Sequence, residues 1–296
     1  MHSERKAVLY SIGIESSTGG QYGPIFEDKS FIYIPIPDFT REYFTDLLGS
    51  PNLSEPQRTL LKNYLNPKIT LSYREIPAIK SNGKRTGKVL ADFLKETLWS
   101  AYMVDLFTQE WTGTKYSAKL SDWIPHFDPE FESYTYGEGS YNKAKTISEL
   151  KKGDVLIFYA SLKPVRREGP IKKYIIGYFI IEAIYNYKVS CGGTPLDYAN
   201  VPDRIAKNGH VVFIDPEPVI AVGAPQESHL LHTAIPFTDQ EFQVYPELAD
   251  FIPWDYPTRR IPRGVRKFGS EAQAQNWLRV LTYQGPPNLY KRNIYE

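Results

Sequence analysis

The stretch "YIIGYFIIEAIY" (174–185) is the longest apolar run of the chain, and Glu182 is its one charge. It is too short for a bilayer-spanning helix, which needs about 20 apolar residues. Its β-branched and aromatic residues, extended to "KYIIGYFIIEAIYNY" (173–187), read as a long strand. "DVLIFYASL" (154–162) has the same character and is joined to it by a basic loop. A chain with two such strands in succession is expected to build its core around a sheet.

Strand signals recur at "AVLYSIGI" (7–14), "SFIYIPIP" (30–37), "GHVVFI" (209–214) and "EPVIAVGA" (217–224). Within the second, Phe31, Tyr33 and Pro35 alternate with Ile32, Ile34 and Ile36. Helical signals fill the middle of the chain. Thr40 is placed to cap "REYFTDLL", with Phe39 and Phe44 as a hydrophobic staple and Gly49 as the stop. Ser54 and Gln57 form a capping box for "EPQRTLLKNYL". The spacing of Leu90, Phe93, Leu94, Leu98, Ala101 and Leu106 predicts a helix over 86–107. Thr146 and Glu149 box a short helix closed by Gly153, and Ser270 and Gln273 open a last helix with Trp277, Leu278 and Leu281 inward.

These elements predict a single α+β domain over 1–296. Segments 7–14, 30–36, 154–161, 174–185 and 209–214 are expected in one continuous mixed sheet or barrel. Residues 38–145 are expected to form a largely helical insertion, with 86–107 packed outside.

Composition narrows the function. Apolar residues make up 42% and charged residues 23%, which suits a folded, soluble protein. The net charge of +1 means that any nucleic-acid binding must come from a local patch. A single cysteine, Cys191, excludes an internal disulfide and a cysteine-based zinc cluster, and suits a reducing compartment. The opening "MHSERKAVLYSIG" lacks the apolar stretch of a signal peptide, so the chain reads as cytoplasmic and without membrane association. Twenty-two tyrosines and 23 prolines beside two methionines fit a thermophilic source.

Four stretches carry candidate chemistry. In "HFDPEFESYTYGE" (126–138), an extended chain would place His126, Asp128, Glu130 and Glu132 on one face. Imidazole with carboxylates can hold a divalent ion or supply an acid and a base, whereas Phe127 and Phe131 would be the buried side of an ordinary acidic edge. In "STGGQYG" (17–23), Gly19, Gly20 and Gly23 allow close backbone approach to a ligand beside Tyr22, or form a plain glycine-rich loop. "WDYPTRRIPRGVRKFG" (254–269) interleaves Arg259, Arg260, Arg263, Arg266 and Lys267 with aromatics, a pattern that suits phosphate contact and base stacking or a solvated loop. His229 and His232 lie three apart with no evident third ligand, and His210 follows Asn208-Gly209 at an expected strand start.

The run "TISELKKGDVLIFYASL" followed by "KKYIIGYFIIEAI" resembles the PUA/EVE-like group over about residues 146 to 224. That resemblance implies a small barrel or strongly curved sheet that grips a flipped or modified base. Over its whole length the chain resembles the third nucleotide modification associated domain family. The residues that carry this resemblance are Gly13, Gly19, Gly20, Gly23, Pro24, Phe26, Asp28, Ser30, Phe31 and Tyr33 with "IPIP". His126, Asp128, Pro129, Phe131, Thr135, Tyr136 and Gly137 match its second stretch, and Phe158, Tyr159, Ala160 and Leu162 a third. Lys29 stands where a turn glycine is common. The resemblance implies a link to nucleotide or DNA-base modification and supplies no reaction.

Two functions follow. One is a binding module that stacks an extruded base among tyrosines such as Tyr22, Tyr136 and Tyr159, while basic loops hold the backbone. The other is a metal- or acid/base-dependent enzyme on a nucleotide or nucleic acid, with His126, Asp128 and Glu132 as catalytic residues. Either way the partner is a nucleic acid or nucleotide. The sequence identifies no cofactor, no particular metal and no oligomeric state.

Overall fold

The computed structural model describes residues 5–13, 22–64, 71–97, 110–111, 118–139, 141–165, 169–212, 215–245, 248, 266–267 and 271–282. The first part of the chain forms β1 (Ala7–Ser11), β2 (Gly23–Ile25), β3 (Ile36–Phe39), α1 (Arg41–Leu48), α2 (Glu55–Tyr64), β4 (Pro77–Ile79), β5 (Arg85–Val89) and α3 (Leu90–Thr97). Next come β6 (Glu110–Trp111), β7 (Ala118–Lys119), β8 (Ile124–His126), β9 (Thr135–Glu138) and α4 (Tyr141–Ser148). The last part contains β10 (Val155–Pro164), β11 (Lys172–Asn186), α5 (Gly209–Val212), β12 (Val219–Gly223), β13 (His229–Pro236), β14 (Arg266–Lys267) and α6 (Glu271–Thr282).

The two long strands are the spine of an eight-stranded mixed sheet: β14-β1-β10-β11-β12-β9 lie in that order, β2 also pairs with β10 and β13 with β11. β10 runs parallel to β1 and antiparallel to β11. The other edge of β11 is shared: its first half pairs with β13 and its second half with β12. Both faces of the spine are covered, which is why these strands read as continuous apolar runs. Val8, Tyr10, Leu156, Phe158 and Ala160 pack on one side with Ala144 and Ile147 of α4. Ala7, Leu9, Val155, Ile157 and Tyr159 pack on the other with Ala274, Trp277 and Leu281 of α6.

Local signals are realised where the signal is itself local. Thr40 Oγ1 accepts from the Tyr43 N–H at 3.2 Å, and Phe39 meets Phe44 at 5.7 Å between ring centroids. The Ser54 N–H donates to Gln57 Oε1 at 2.9 Å, and the Gln57 N–H returns to Ser54 Oγ at 3.4 Å.

Several expectations are corrected. Among the described residues no closed barrel is found: β9 pairs only with β12 and β14 only with β1, so the ends of the sheet do not meet. Segment 30–36 does not join the sheet; Phe31 makes a single bridge to Ile25, and Ile36 onward pairs with β8 as a separate ribbon. Pro35 and Pro37 have no N–H to donate to a ladder. Residues 85–89 are a strand with Gly87 at φ 78°, so the helix begins at Leu90, and 98–107 lie outside the described residues. The helix expected after Thr146 instead starts at Tyr141 and ends at Ser148. Segment 209–212 is a helical turn, because the Asn208 side chain accepts the His210 N–H and its carbonyl accepts those of Val211 and Val212.

Lys29 adopts φ 62°, the left-handed conformation that favours glycine, in a turn where Asp28 Oδ1 accepts the Ser30 N–H at 3.0 Å. An ordinary side chain there costs about 1–2 kcal/mol, partly offset by the greater chain entropy that glycine loses on folding. Lys29→Gly is therefore expected to stabilise the protein by about 0.5–1 kcal/mol. The measurement is the urea midpoint at unchanged m-value; a lower midpoint would contradict this assignment.

No helix among the described residues is long and apolar enough to cross a membrane.

Candidate functional site

Three elements meet at the first conspicuous polar cluster. β8 ends at His126, whose backbone pairs with Ile36 of β3. The register of that ribbon shifts between Pro37 and Phe39, leaving Asp38 at the irregularity, with its Oδ2 2.9 Å from His126 Nδ1. Two residues beyond His126, Asp128 lies in the turn that follows β8. Its Oδ1 accepts the Gly137 N–H of β9 at 2.8 Å, while its carbonyl accepts the Tyr33 hydroxyl at 3.0 Å. The third contributor is α5, which presents His210.

His210 stands between two carboxylates. Its Nδ1 is 2.6 Å from Asp215 Oδ2 and its Nε2 is 3.4 Å from Asp128 Oδ2. The His126 and His210 rings cross edge to face with centroids 4.8 Å apart. One potential ligating atom from each of His126, Asp128 and His210 lies within 4.8 Å of the others. All three side chains are largely sequestered, whereas Asp38 and Asp215 remain partly open to solvent.

Two glycines make this closeness possible. A Cβ on Gly209 would run into the His126 imidazole, and one on Gly137 would run into the His210 ring and the Asn208 amide oxygen. The "TYG" stretch thereby acquires a physical role at each position. The Asn208 side-chain amide donates to Thr135 Oγ1, Tyr136 packs on Tyr10 and Phe158, and Gly137 admits His210.

Burial acts on His210 to lower its pKa, but the hydrogen bonds and charges of Asp128 and Asp215 outweigh it and raise the value to about 10. Burial first, and then the charges of Glu138 and Asp128, hold the Tyr10 and Tyr136 hydroxyls well above the usual phenol range. The two carboxylates thus hold the proton on His210, beside phenols that keep theirs.

The other sequence candidates fall elsewhere. The chain is not extended from 126 to 132: Glu130 pairs by backbone with Thr135, Glu132 is exposed, and the Glu132 N–H is bonded to Glu130 Oε1. Glu132 therefore does not share a face with His126 and Asp128. Gly19 and Gly20 lie outside the described residues. Tyr22 is half-buried, and Gly23 is buried in β2 opposite Leu162. Tyr136 and Tyr159 sit in the two cores on opposite faces of the sheet, so they do not line one pocket. Arg259, Arg260 and Arg263 also lie outside the described residues; Arg266 and Lys267 form β14, paired with Leu9 and Val8. His229 and His232 are on one strand, where a spacing of three turns them to opposite faces.

The sequence pattern marks Asn208-Gly209 and His210 without a role and gives no sign of Asp38 or Asp215. Asp38 directly follows "IPIP" and Asn208-Gly209 directly precedes His210. Those neighbours were the available signals, yet neither reveals a partner 80 or more residues away.

Among the described residues, a separate cleft of about 810 Å³ lies beside α2, lined by Glu55, Thr59 and Leu60 and, opposite them, Tyr198, Val201 and Lys207. It borders the cluster indirectly, since the Tyr198 hydroxyl donates to the Asp215 carbonyl at 3.4 Å. The family model described as nucleotide modification associated domain 3 matches residues 6–247. No curated protein and no solved structure matches the chain.

Proposed function

This chain belongs to the nucleotide modification associated domain 3 family, and we propose that it is an enzyme that processes a nucleotide or a nucleic-acid base at the His126–Asp128–His210 cluster. Family membership ties it to nucleotide modification. The observation that carries the enzymatic reading is the convergence of two imidazoles, each backed by its own carboxylate, on one sequestered aspartate. Structural ion pairs seldom need two histidines and three aspartates brought together from β3, β8 and the segments around α5. Such a set moves protons and stabilises developing charge, with the outer carboxylates fixing the direction of each ring.

The test uses the full chain with free nucleotides and with single- and double-stranded DNA and RNA, each with and without modified bases. Products are read by mass spectrometry of the released nucleosides. Altered nucleosides are expected, with Asp128→Asn and His210→Gln each reducing turnover by about 100-fold or more. Unaltered nucleosides throughout, or variants as active as the parent, would overturn the reading.

A second reading is a base-recognition module of the PUA/EVE-like kind, with the basic residues 259–267 on the phosphate backbone. The cleft beside α2 favours it, because its volume suits a ligand of nucleotide size and Tyr198 and Lys207 supply an aromatic and a cation. That mode predicts tight, strongly salt-dependent binding without turnover.

A further inference from the structure

We propose that His126, Asp128 and His210 form a binding site for one divalent first-row transition-metal ion of the zinc or iron(II) class, with Asp38 and Asp215 as the carboxylates that orient the two imidazoles. The proposal rests on the functional reading above for its relevance to catalysis, but the site itself is argued from geometry.

The ligand set comes first. Two imidazoles and one carboxylate suit a borderline ion, whereas magnesium and calcium favour all-oxygen surroundings. Three protein ligands also leave coordination positions open for water or substrate, the arrangement expected of a catalytic site and not of a closed structural one. Bonds of about 2.1 Å place neighbouring donors roughly 3 Å or a little more apart. Donor atoms within 4.8 Å of one another would have to draw together by up to about 1.5 Å, within the reach of side-chain rotation.

The outer carboxylates are the second argument. A ligating histidine commonly donates its other N–H to a carboxylate, which fixes tautomer and ring direction. Here both rings do so through Nδ1, to Asp38 and to Asp215, so Nε2 is the nitrogen that each would turn to an ion. One such pair is common in proteins; two beside a shared aspartate suit a metal centre.

Charge is the third. Among the described residues, the ion pairs of Asp38, Asp128 and Asp215 are all with these two histidines. The lysines on the neighbouring segment have other acidic partners: Lys143 pairs with Glu138 at 3.2 Å and Lys188 with Glu217 at 3.5 Å. With both imidazoles neutral, as ligation demands, three carboxylates face no fixed cation of their own. A dication would supply that charge.

The glycines close the argument. Gly209 and Gly137 let the backbone lie directly against the two rings, which is what allows the imidazoles to come together beside Asp128.

The experiment is metal binding, read independently of turnover. The full chain is stripped with a chelator and titrated with Zn²⁺, Co²⁺, Fe²⁺ under anaerobic conditions, Mg²⁺ and Ca²⁺. Calorimetry measures stoichiometry, and the visible spectrum of the Co²⁺ form reports the ligand field. One ion of Zn²⁺, Co²⁺ or Fe²⁺ per chain is expected, without competition from Mg²⁺ or Ca²⁺. Asp128→Asn and His210→Gln should weaken binding by more than 100-fold. Asp38→Asn and Asp215→Asn, which leave all three ligands in place, should weaken it by about 10–100-fold. Each variant is checked for unchanged far-ultraviolet circular dichroism. A folded parent chain that binds none of the transition ions would overturn the proposal, as would affinity indifferent to Asp128 and His210. Stoichiometric binding without nucleotide processing would support the metal site and count against the enzymatic function. Turnover that survives complete chelation would do the reverse.

Discussion

Phe158→Ala is expected to cost about 3–5 kcal/mol of folding stability. Phe158 is fully buried in the middle of β10, with Phe179 at 4.9 Å, Tyr136 at 5.4 Å and Phe131 at 5.8 Å between ring centroids. All three contacts are edge-on or tilted, the geometry in which aromatic pairs add about 0.5–1.5 kcal/mol beyond burial. Truncation leaves a cavity bounded by rigid rings on a sheet covered on both faces, so little can collapse into it. Domains of this kind have a total stability of about 5–15 kcal/mol, and the variant should be close to unfolding at physiological temperature. Urea titration of the parent and variant measures the difference. A loss below about 1.5 kcal/mol would mean the aromatic cluster repacks freely. The consequence reaches the site, because Phe131 closes the turn that holds Asp128 and Tyr136 immediately precedes Gly137.

Gly209→Ala is expected to disable the site at a smaller cost in stability. The added methyl would occupy space held by the His126 imidazole, and the backbone it stands on is held by Asn208, a fully buried residue. One of the two must move. Displacement of the ring breaks its alignment with Asp38; displacement of the turn carries His210 away from Asp128. Overpacking of this kind costs about 1–3 kcal/mol, and a shift near 1 Å in a reacting group costs about 100-fold in rate. Turnover and transition-metal affinity should therefore both fall by about that factor while the fold persists. Gly49→Ala is the matched control. Gly49 caps α1 at φ −75°, and an added Cβ would meet its nearest neighbours at 3.5 Å, an ordinary contact. Equal losses in the two variants, or none in Gly209→Ala, would show that the close approach at Gly209 does not matter.

The two predictions differ in how far the sequence announces them. Phe158 belongs to a run so apolar that its burial follows from composition alone. Gly209 gives no such sign, because its importance lies in a ring contributed by residue 126.

That contrast runs through the molecule. The caps of α1 and α2, the long strands β10 and β11, and the inward face of α6 were legible because each depends on residues within about one or two turns of helix or along one strand. The failures also have local causes that compete with the pattern. The apolar alternation at 30–36 was real, yet Pro35 has no N–H for a ladder and the segment makes only a single bridge at Phe31. The apolar spacing from Leu90 was real, yet Gly87 in a left-handed conformation held the preceding residues in a strand. "GHVVFI" has strand composition, but Asn208 captured the first free N–H groups and turned 209–212 into a helical turn.

The candidate site divides in the same way. His126 and Asp128 were recognisable as chemistry-bearing types two residues apart. The reason first given for pairing them, a common strand face, did not hold, because the strand stops at His126. Tertiary structure alone brought His210 to Asp128 across 82 residues of chain, set Asp38 and Asp215 behind the rings, and sent Glu132 to the surface. A side chain's neighbours across a sheet or turn depend on register and packing, which short-range spacing does not encode. By itself the sequence determined which segments are apolar enough to build the sheet and which residue types are available for chemistry. Which of those residues meet was decided by the irregularity at Asp38, the turn after His126 and the missing side chain at Gly209, where the folded backbones come close enough for imidazole and carboxylate to touch.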